Sequence, residues 1–329
     1  MRPLRFEIRI LPVGVMLLGS GVACCQDPST GSGQVFPGKQ PIRIITSAPG
    51  GSSDFVARQI ALAISEPLGQ QVIVDNRAAG NIPIEAVYRA PPDGYTVLVA
   101  GGSFWIVPLL QKTAYDPAKD FAPITIASRA VNILAVHPSM PVNSVKELIA
   151  LAKAKPGQLN YASAATGGTQ HLMVELFKSM AGVDIVRIPY KGGGPALIAL
   201  LSGEVQMTME GPAPLVPHIK LGKLRALAVT SAEPSALAPG LPTVAASGVP
   251  GYQAETLQVI FAPAKTPAAV ISRLNQEMVR FLKQPAAKEK FLNAGTEAVG
   301  SSPEQLTGSM KTEMDRLGKL IKDIGLRAD

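Results

Sequence analysis

Three places in the chain combine a short β-branched run, a glycine-rich turn and the start of an amphipathic helix. The first is Ile42–Thr46, followed by Ser47-Ala48-Pro49-Gly50-Gly51-Ser52-Ser53-Asp54 and a helix expected from about Phe55. The second is Leu159–Ser163, then Ala164-Ala165-Thr166-Gly167-Gly168-Thr169, with a helix opening near Gln170. The third is Val183–Tyr190, then Lys191-Gly192-Gly193-Gly194-Pro195 and a helix through Leu201. Each turn is expected to leave backbone N–H groups unpaired at a helix N-terminus, with the positive end of the helix dipole behind them. Such a turn holds an anion without needing an arginine. The pattern points to a protein that grips a small anionic molecule.

The side chains at these turns have two readings each. Ser52, Ser163, Thr166 and Thr169 fit hydrogen bonds to an anion, and they equally fit ordinary helix N-caps. Asp54 fits a place in the first helical turn, where a carboxylate interacts favourably with the dipole; it also fits a contact to a ligand ammonium or hydroxyl. Lys191 is either a solvated side chain or a cation supplied to the site. Trp105, after Gly101-Gly102-Ser103, is either core or a ligand contact, and Ser103 is a further candidate for binding.

Catalytic arrangements are weak by comparison. His137, His171 and His218 are far apart and lack metal-ligand spacing. The chain contains no Gly-x-Ser-x-Gly elbow and no phosphate loop ending in Gly-Lys-Ser/Thr. Neither Gly50-Gly51 nor Gly192-Gly193-Gly194 has the spacing of the dinucleotide fingerprint. No cofactor and no metal is expected. An exported α/β hydrolase or dehydrogenase is the rival reading, and turnover or a co-purifying cofactor would support it.

The elements that must carry the turns alternate as strand and helix from Pro41 onward, at βαβ spacing. Val56, Ile60, Ala63, Ile64 and Leu68 share one face of the first helix, which Gly69 ends. Strands are expected at Gln71–Asp75, Tyr95–Ala100, Val205–Met209, Leu224–Val229 and Leu257–Ala262. Ile124–Ala127 and Ile133–His137 look like one path leaving a first sheet and entering a second. Further helices are expected around Ile84–Arg89, at Ser144–Lys155 and Pro214–Leu221, and near Ala268–Leu282, Ala286–Leu292 and Pro303–Ile324. The resulting fold is α/β with two lobes, the second inserted in the first. Residues 41–130 and 256–329 form lobe 1, and residues 131–255 form lobe 2. Clefts between such lobes enclose small ligands.

Composition fits this reading. The 329 residues, 47% of them hydrophobic and 17% charged, are enough for two folded cores. Arg2, Arg5 and Arg9 precede the apolar Ile10–Leu18 and the small residues Gly19–Ala23, the layout of an export signal over residues 1–23. Its removal takes three arginines and one glutamate from a formal net charge of +7, leaving +5. The remaining basic residues are scattered and aromatics are few, which argues against nucleic acid as a partner. Val22-Ala23-Cys24 also hints at lipidation of Cys24, although Gly21 stands where such signals usually have leucine. Residues 24–40 read as a flexible tether. Both cysteines, Cys24 and Cys25, lie there, so neither a core disulfide nor a cysteine metal site is available.

The order and spacing of several motifs carry a family resemblance from about Pro41 to Gly325. They include Pro49-Gly50-Gly51-Ser52-Ser53-Asp54 with Ala57-Arg58, and Pro92-Asp93-Gly94-Tyr95-Thr96. Asp120-Phe121-Ala122-Pro123, Pro189-Tyr190-Lys191-Gly192, Gly222-Lys223-Leu224-Arg225-Ala226 and Ala262-Pro263 with Thr266-Pro267 continue the series. With these the chain resembles the bacterial periplasmic solute-binding proteins of the tripartite tricarboxylate transporter system, the Bug family. The resemblance implies a Venus-flytrap protein of type II topology that captures a carboxylate, amino acid or aromatic acid, with membrane transporter subunits as partners. Carried over by position, it points to Pro49, Gly50, Gly51, Ser52 and Asp54 in the first lobe. In the second it points to Ser163, Thr166, Gly167, Thr169, Lys191 and Gly192. A monomer is expected, in the periplasm. Feeding a membrane signalling receptor instead of a transporter is an alternative that the sequence leaves open. The chain departs from the family in its shorter Asn76–Pro83 stretch and in Leu257-Gln258, where an aromatic pair is usual.

Overall fold

A computed structural model describes residues 36–38, 40–77, 81–163 and 168–326. The expected export signal, most of the tether with Cys24, and Thr166 and Gly167 lie outside the described residues. The first elements are β1 (Ile42–Thr46), α1 (Ser52–Leu68), β2 (Val72–Asn76), α2 (Ile82–Tyr88), β3 (Thr96–Gly101), α3 (Ser103–Leu110) and β4 (Phe121–Ala130). The chain then passes through β5 (Ile133–Val136), α4 (Val145–Ala154), β6 (Asn160–Ser163), α5 (Thr169–Ala181) and β7 (Val186–Pro189). It continues with α6 (Gly193–Ser202), β8 (Met207–Glu210), α7 (Pro212–Lys220) and β9 (Arg225–Val229). Last come β10 (Thr256–Pro263), α8 (Ala268–Leu282), α9 (Pro285–Asn293), β11 (Glu297–Ala298) and α10 (Pro303–Asp323).

Two sheets result, and the fold is α/β with two lobes. The first has strand order β11-β4-β10-β3-β1-β2 and the second β7-β6-β8-β5-β9. The chain leaves the first sheet after β4, builds the whole of the second, and returns as β10, which pairs antiparallel with β3 and β4. Thr230 joins the two crossings: its Oγ1 accepts from the Asn132 backbone N–H at 3.0 Å, and its own N–H donates to the Asn132 carbonyl at 2.9 Å. Its carbonyl accepts from Ala254 N–H at 2.8 Å.

Helix packing follows the apolar stripes. Val56, Ala57, Ile60, Ala61, Ile64 and Leu68 of α1 are buried against Ile42, Ile44, Val97 and Val99 and against Leu274 and Met278 of α8. Fully burying such a side chain contributes roughly 1.5–3 kcal/mol, so this stripe seats α1 against the sheet and α8. α10 starts with a capping box between Ser302 and Gln305 and buries Leu306, Met310, Leu317 and Ile321. These join one apolar cluster that runs from Phe104 and Trp105 into Leu172, Met173 and Phe177 of α5. One core therefore continues from the first lobe into the second through α10.

Candidate functional site

Strand direction decides which loops meet. Gly101 ends β3 and pairs with Gln258, close to the start of β10 where the chain returns from the second sheet. Glu210 ends β8 and pairs with Ile133, the first residue of β5 after the outward crossing. The carboxyl ends of β1 and β3 in one lobe, and of β6, β7 and β8 in the other, therefore all point toward the crossing. In open α/β sheets this is where ligands bind.

Each of these five strands feeds a helix whose N-cap is glycine: Gly51 for α1, Gly102 for α3, Gly168 for α5, Gly192 for α6 and Gly211 for α7. A glycine cap has no side chain to satisfy the first-turn N–H groups. α4 and α10 differ, since the Ser144 and Ser302 hydroxyls accept from Glu147 and Gln305 N–H. The sequence shows three such turns; the structure adds the Gly102 and Gly211 turns. It also places Ser52 and Thr169 as the first helical residues, not as N-caps.

On the first lobe, Pro49, Gly50, Gly51 and Ser52 are exposed along the turn into α1. Gly50 has φ 86°, a left-handed conformation that favours glycine. Asp54 lies buried beneath them. Its carboxylate accepts from Gly50 N–H at 2.9 Å, from Asn76 Nδ2 at 2.8 Å and from Arg58 Nε at 3.0–3.1 Å. Burial alone would raise its pKa, but the bonds from Arg58, Gly50 and Asn76 outweigh burial and hold it below the ordinary aspartate value. Every partner fixes the turn, so Asp54 is its anchor. Asn76 also donates to the Ser47 carbonyl at 2.7 Å, which ties β2 to the same turn.

Next to the turn is a cavity of about 210 Å³ lined by Ser47, Ser53, Pro83, Gly101 and Ser103 among others. Ser103 is exposed at the start of α3. Phe104 behind it packs edge-on against Phe121 at 4.9 Å and tilted against Phe261 at 4.8 Å, which fixes the start of that helix. Trp105 is fully buried and donates through Nε1 to Glu313 of α10 at 3.1 Å. It is a core residue that ties α3 to α10.

On the second lobe, Ser163 is buried at the end of β6 and its Oγ accepts from Arg187 Nε at 2.6 Å. With a lone pair engaged there, the hydroxyl hydrogen is left to point elsewhere. Arg187 also brings positive charge to the end of β6, a feature the strand-like sequence around it does not advertise. His171, one turn into α5, is buried; burial first, and the Arg187 charge second, lower its pKa to about 4. It is neutral at physiological pH. Thr169, Lys191 and Gly192 are exposed, and Gly192 has φ 108°. A second cavity of about 250 Å³ lies between α6 and α7, lined by Gly193, Gly194, Thr208, Glu210 and Pro214 among others. Among the described residues no group of three or more His, Cys, Asp or Glu is placed to hold a metal ion.

These strand ends point toward one crossing of two strands, and comparison with known proteins gives the chain a family. The tripartite tricarboxylate transporter family receptor matches residues 56–326. The chain belongs to this family. Protein BugT of Bordetella pertussis is 32% identical over 96% of this chain and 97% of its own. Rpa4515 of R. palustris, solved with adipate, is 36% identical and superposes with a TM-score of 0.69, over 89% of this chain and 99% of its own. MatC from Rhodopseudomonas palustris, solved with bound malate, is 28% identical with a TM-score of 0.66, over 87% and 100%. The family is one of periplasmic solute-binding receptors. Among the described residues of this member, no helix is long and apolar enough to cross a membrane.

Proposed function

We propose that this protein is an exported, non-enzymatic receptor that closes two lobes around a small carboxylate-bearing solute and presents it to the membrane subunits of a tripartite tricarboxylate-type transporter. The lobes are residues 41–130 with 256–329, and residues 131–255; residues 1–23 are the export signal. The glycine-capped N-termini of α1, α3, α5 and α6 carry the reading, because they offer backbone N–H groups and helix dipoles to an anion from both lobes; α7, with Pro212 and Pro214 in its first turn, adds mainly its dipole. The adipate and malate held by the two R. palustris relatives support a carboxylate as that anion. Closure brings the Pro49–Asp54 turn and Ser103 against the turn from Ser163 to Thr169 and the Lys191-Gly192 turn. Excluding water there strengthens each N–H to carboxylate bond.

A thermal-shift screen of the mature chain against mono- and dicarboxylates, hydroxy acids, amino acids and aromatic acids tests the proposal. A ligand at a hundredfold excess over its Kd stabilises the folded state by about 2.7 kcal/mol, a shift of several degrees. Failure of every acid to raise the Tm, together with unchanged small-angle scattering on adding them, overturns it.

A further inference from the structure

Glu210 gives the second lobe a chemistry opposite to that of the first. It ends β8 beside the crossing, and its carboxylate lines the 250 Å³ cavity between the starts of α6 and α7. Oε1 accepts from Gly211 N–H at 3.0 Å, and Oε2 accepts from Gln170 Nε2 at the start of α5. A Cβ placed on Gly193 would stand 3.7 Å from Oε2, so this oxygen also faces the uncapped turn into α6. One protein carboxylate is thus set among the helix starts that the sequence alone would assign to a ligand carboxylate. Burial raises its pKa, a hydrogen bond from Gly211 opposes that, and no cation contributes. A carboxylate has about four lone-pair directions. The two bonds leave room for further donors, while a second ligand carboxylate in the same cavity would meet like charge at low dielectric.

We propose that Glu210 is the specificity-determining acceptor of the second lobe, taking a hydrogen bond from an ammonium or hydroxyl group of the bound acid. This rests on the carboxylate-receptor reading and narrows it: the solute carries one carboxylate for the glycine turns and a donor for Glu210. Amino and hydroxy acids are then favoured over plain dicarboxylates of the same length.

Isothermal titration of the mature chain with matched acids tests this. Succinate, aspartate and malate form one set; glutarate, glutamate and 2-hydroxyglutarate form another. In at least one set the amino or the hydroxy acid is expected to bind at least tenfold more tightly than the plain dicarboxylate, and which of the two wins identifies the donor. Glu210→Gln is expected to bring that ratio below threefold, weakening the donor-bearing acid and strengthening the plain one. Plain dicarboxylates binding as tightly as their donor-bearing partners in the unaltered protein overturn the proposal, whatever becomes of the variant. So does a ratio that Glu210→Gln leaves unchanged. Either result leaves the carboxylate-receptor reading standing, whereas absence of binding by every acid of the wider thermal-shift screen removes both.

Discussion

Ser53 Oγ donates to Gln258 Oε1 at 2.6 Å, joining the first turn of α1 to the strand by which the chain re-enters the first sheet. With Oε1 held by Ser53, Nε2 is turned to Gly101, 3.6 Å from where a Cβ on that glycine would sit. A donor is thereby presented beside the first-lobe cavity, in the strand by which the chain returns from the second sheet. Gln258→Leu is expected to lower affinity for the bound acid about tenfold, the worth of roughly one hydrogen bond to a charged group. Titration calorimetry checks this, and a Kd within twofold of the unaltered protein would remove Gln258 from the site.

Gly50 and Gly51 are adjacent in the same turn but separate fold from function. Gly51 has φ −86°, and a Cβ there meets nothing closer than the Ala48 carbonyl at 3.9 Å. Gly51→Val is therefore expected to leave the Tm nearly unchanged while abolishing acid binding, because the added branches stand over the α1 N–H groups. Gly50 has φ 86°, which a β-branched residue resists. Gly50→Val is expected to cost about 1–3 kcal/mol of stability as well as affinity. Denaturant unfolding of both variants, alongside calorimetry, reads the contrast; equal stability losses would count against it.

Asp54 predicts a specific acid response. Its folded pKa lies below the ordinary aspartate value, so its carboxylate stabilises the fold above that value. The contribution is lost as pH falls through the depressed folded value. Asp54→Asn is expected to cost about 1–3 kcal/mol at pH 7, since Gly50, Asn76 and Arg58 lose a charged acceptor. The gap between variant and unaltered protein should close in strongly acidic solution. Unfolding free energies across that range measure it, and a gap independent of pH would show that the charge is not what anchors the turn.

The alternation of strands and helices was legible in the sequence because each buried face repeats locally, as in the Val56, Ile60, Ile64 and Leu68 stripe. The glycine turns were legible for the same reason. α3 was not, since Ser103–Leu110 is short, almost wholly apolar and contains Pro108, so it shows no amphipathic period. Its start nevertheless places Ser103 and Gly102 beside the first-lobe cavity. β8 was expected to stop at Met209, because an acidic residue does not look like the end of a buried strand. That single further residue is Glu210, the carboxylate of the second-lobe cavity. The pairing of Ser53 with Gln258 joins residues 205 positions apart, and no local pattern can announce it.

His171 links the second lobe to pH. It is buried on α5 with Glu175 4.0 Å away, and Glu175 already accepts from Tyr161 and Lys178. Burial and Arg187 hold its folded pKa near 4, against 6.5 for an unperturbed histidine. Between these values the unfolded chain binds the proton and the folded chain does not, so stability rises with pH from about 4 to 6.5 and then levels off. His171→Leu keeps the side chain's bulk and apolar setting but cannot titrate. Its Tm is therefore expected to approach or exceed that of the unaltered protein at pH 4.5 relative to pH 7.5, with the difference between the two proteins changing by a few degrees over that interval. Thermal unfolding of both at the two pH values decides it: parallel Tm curves would mean that His171 titrates alike in the folded and unfolded chains, with the Glu175 charge offsetting burial and Arg187.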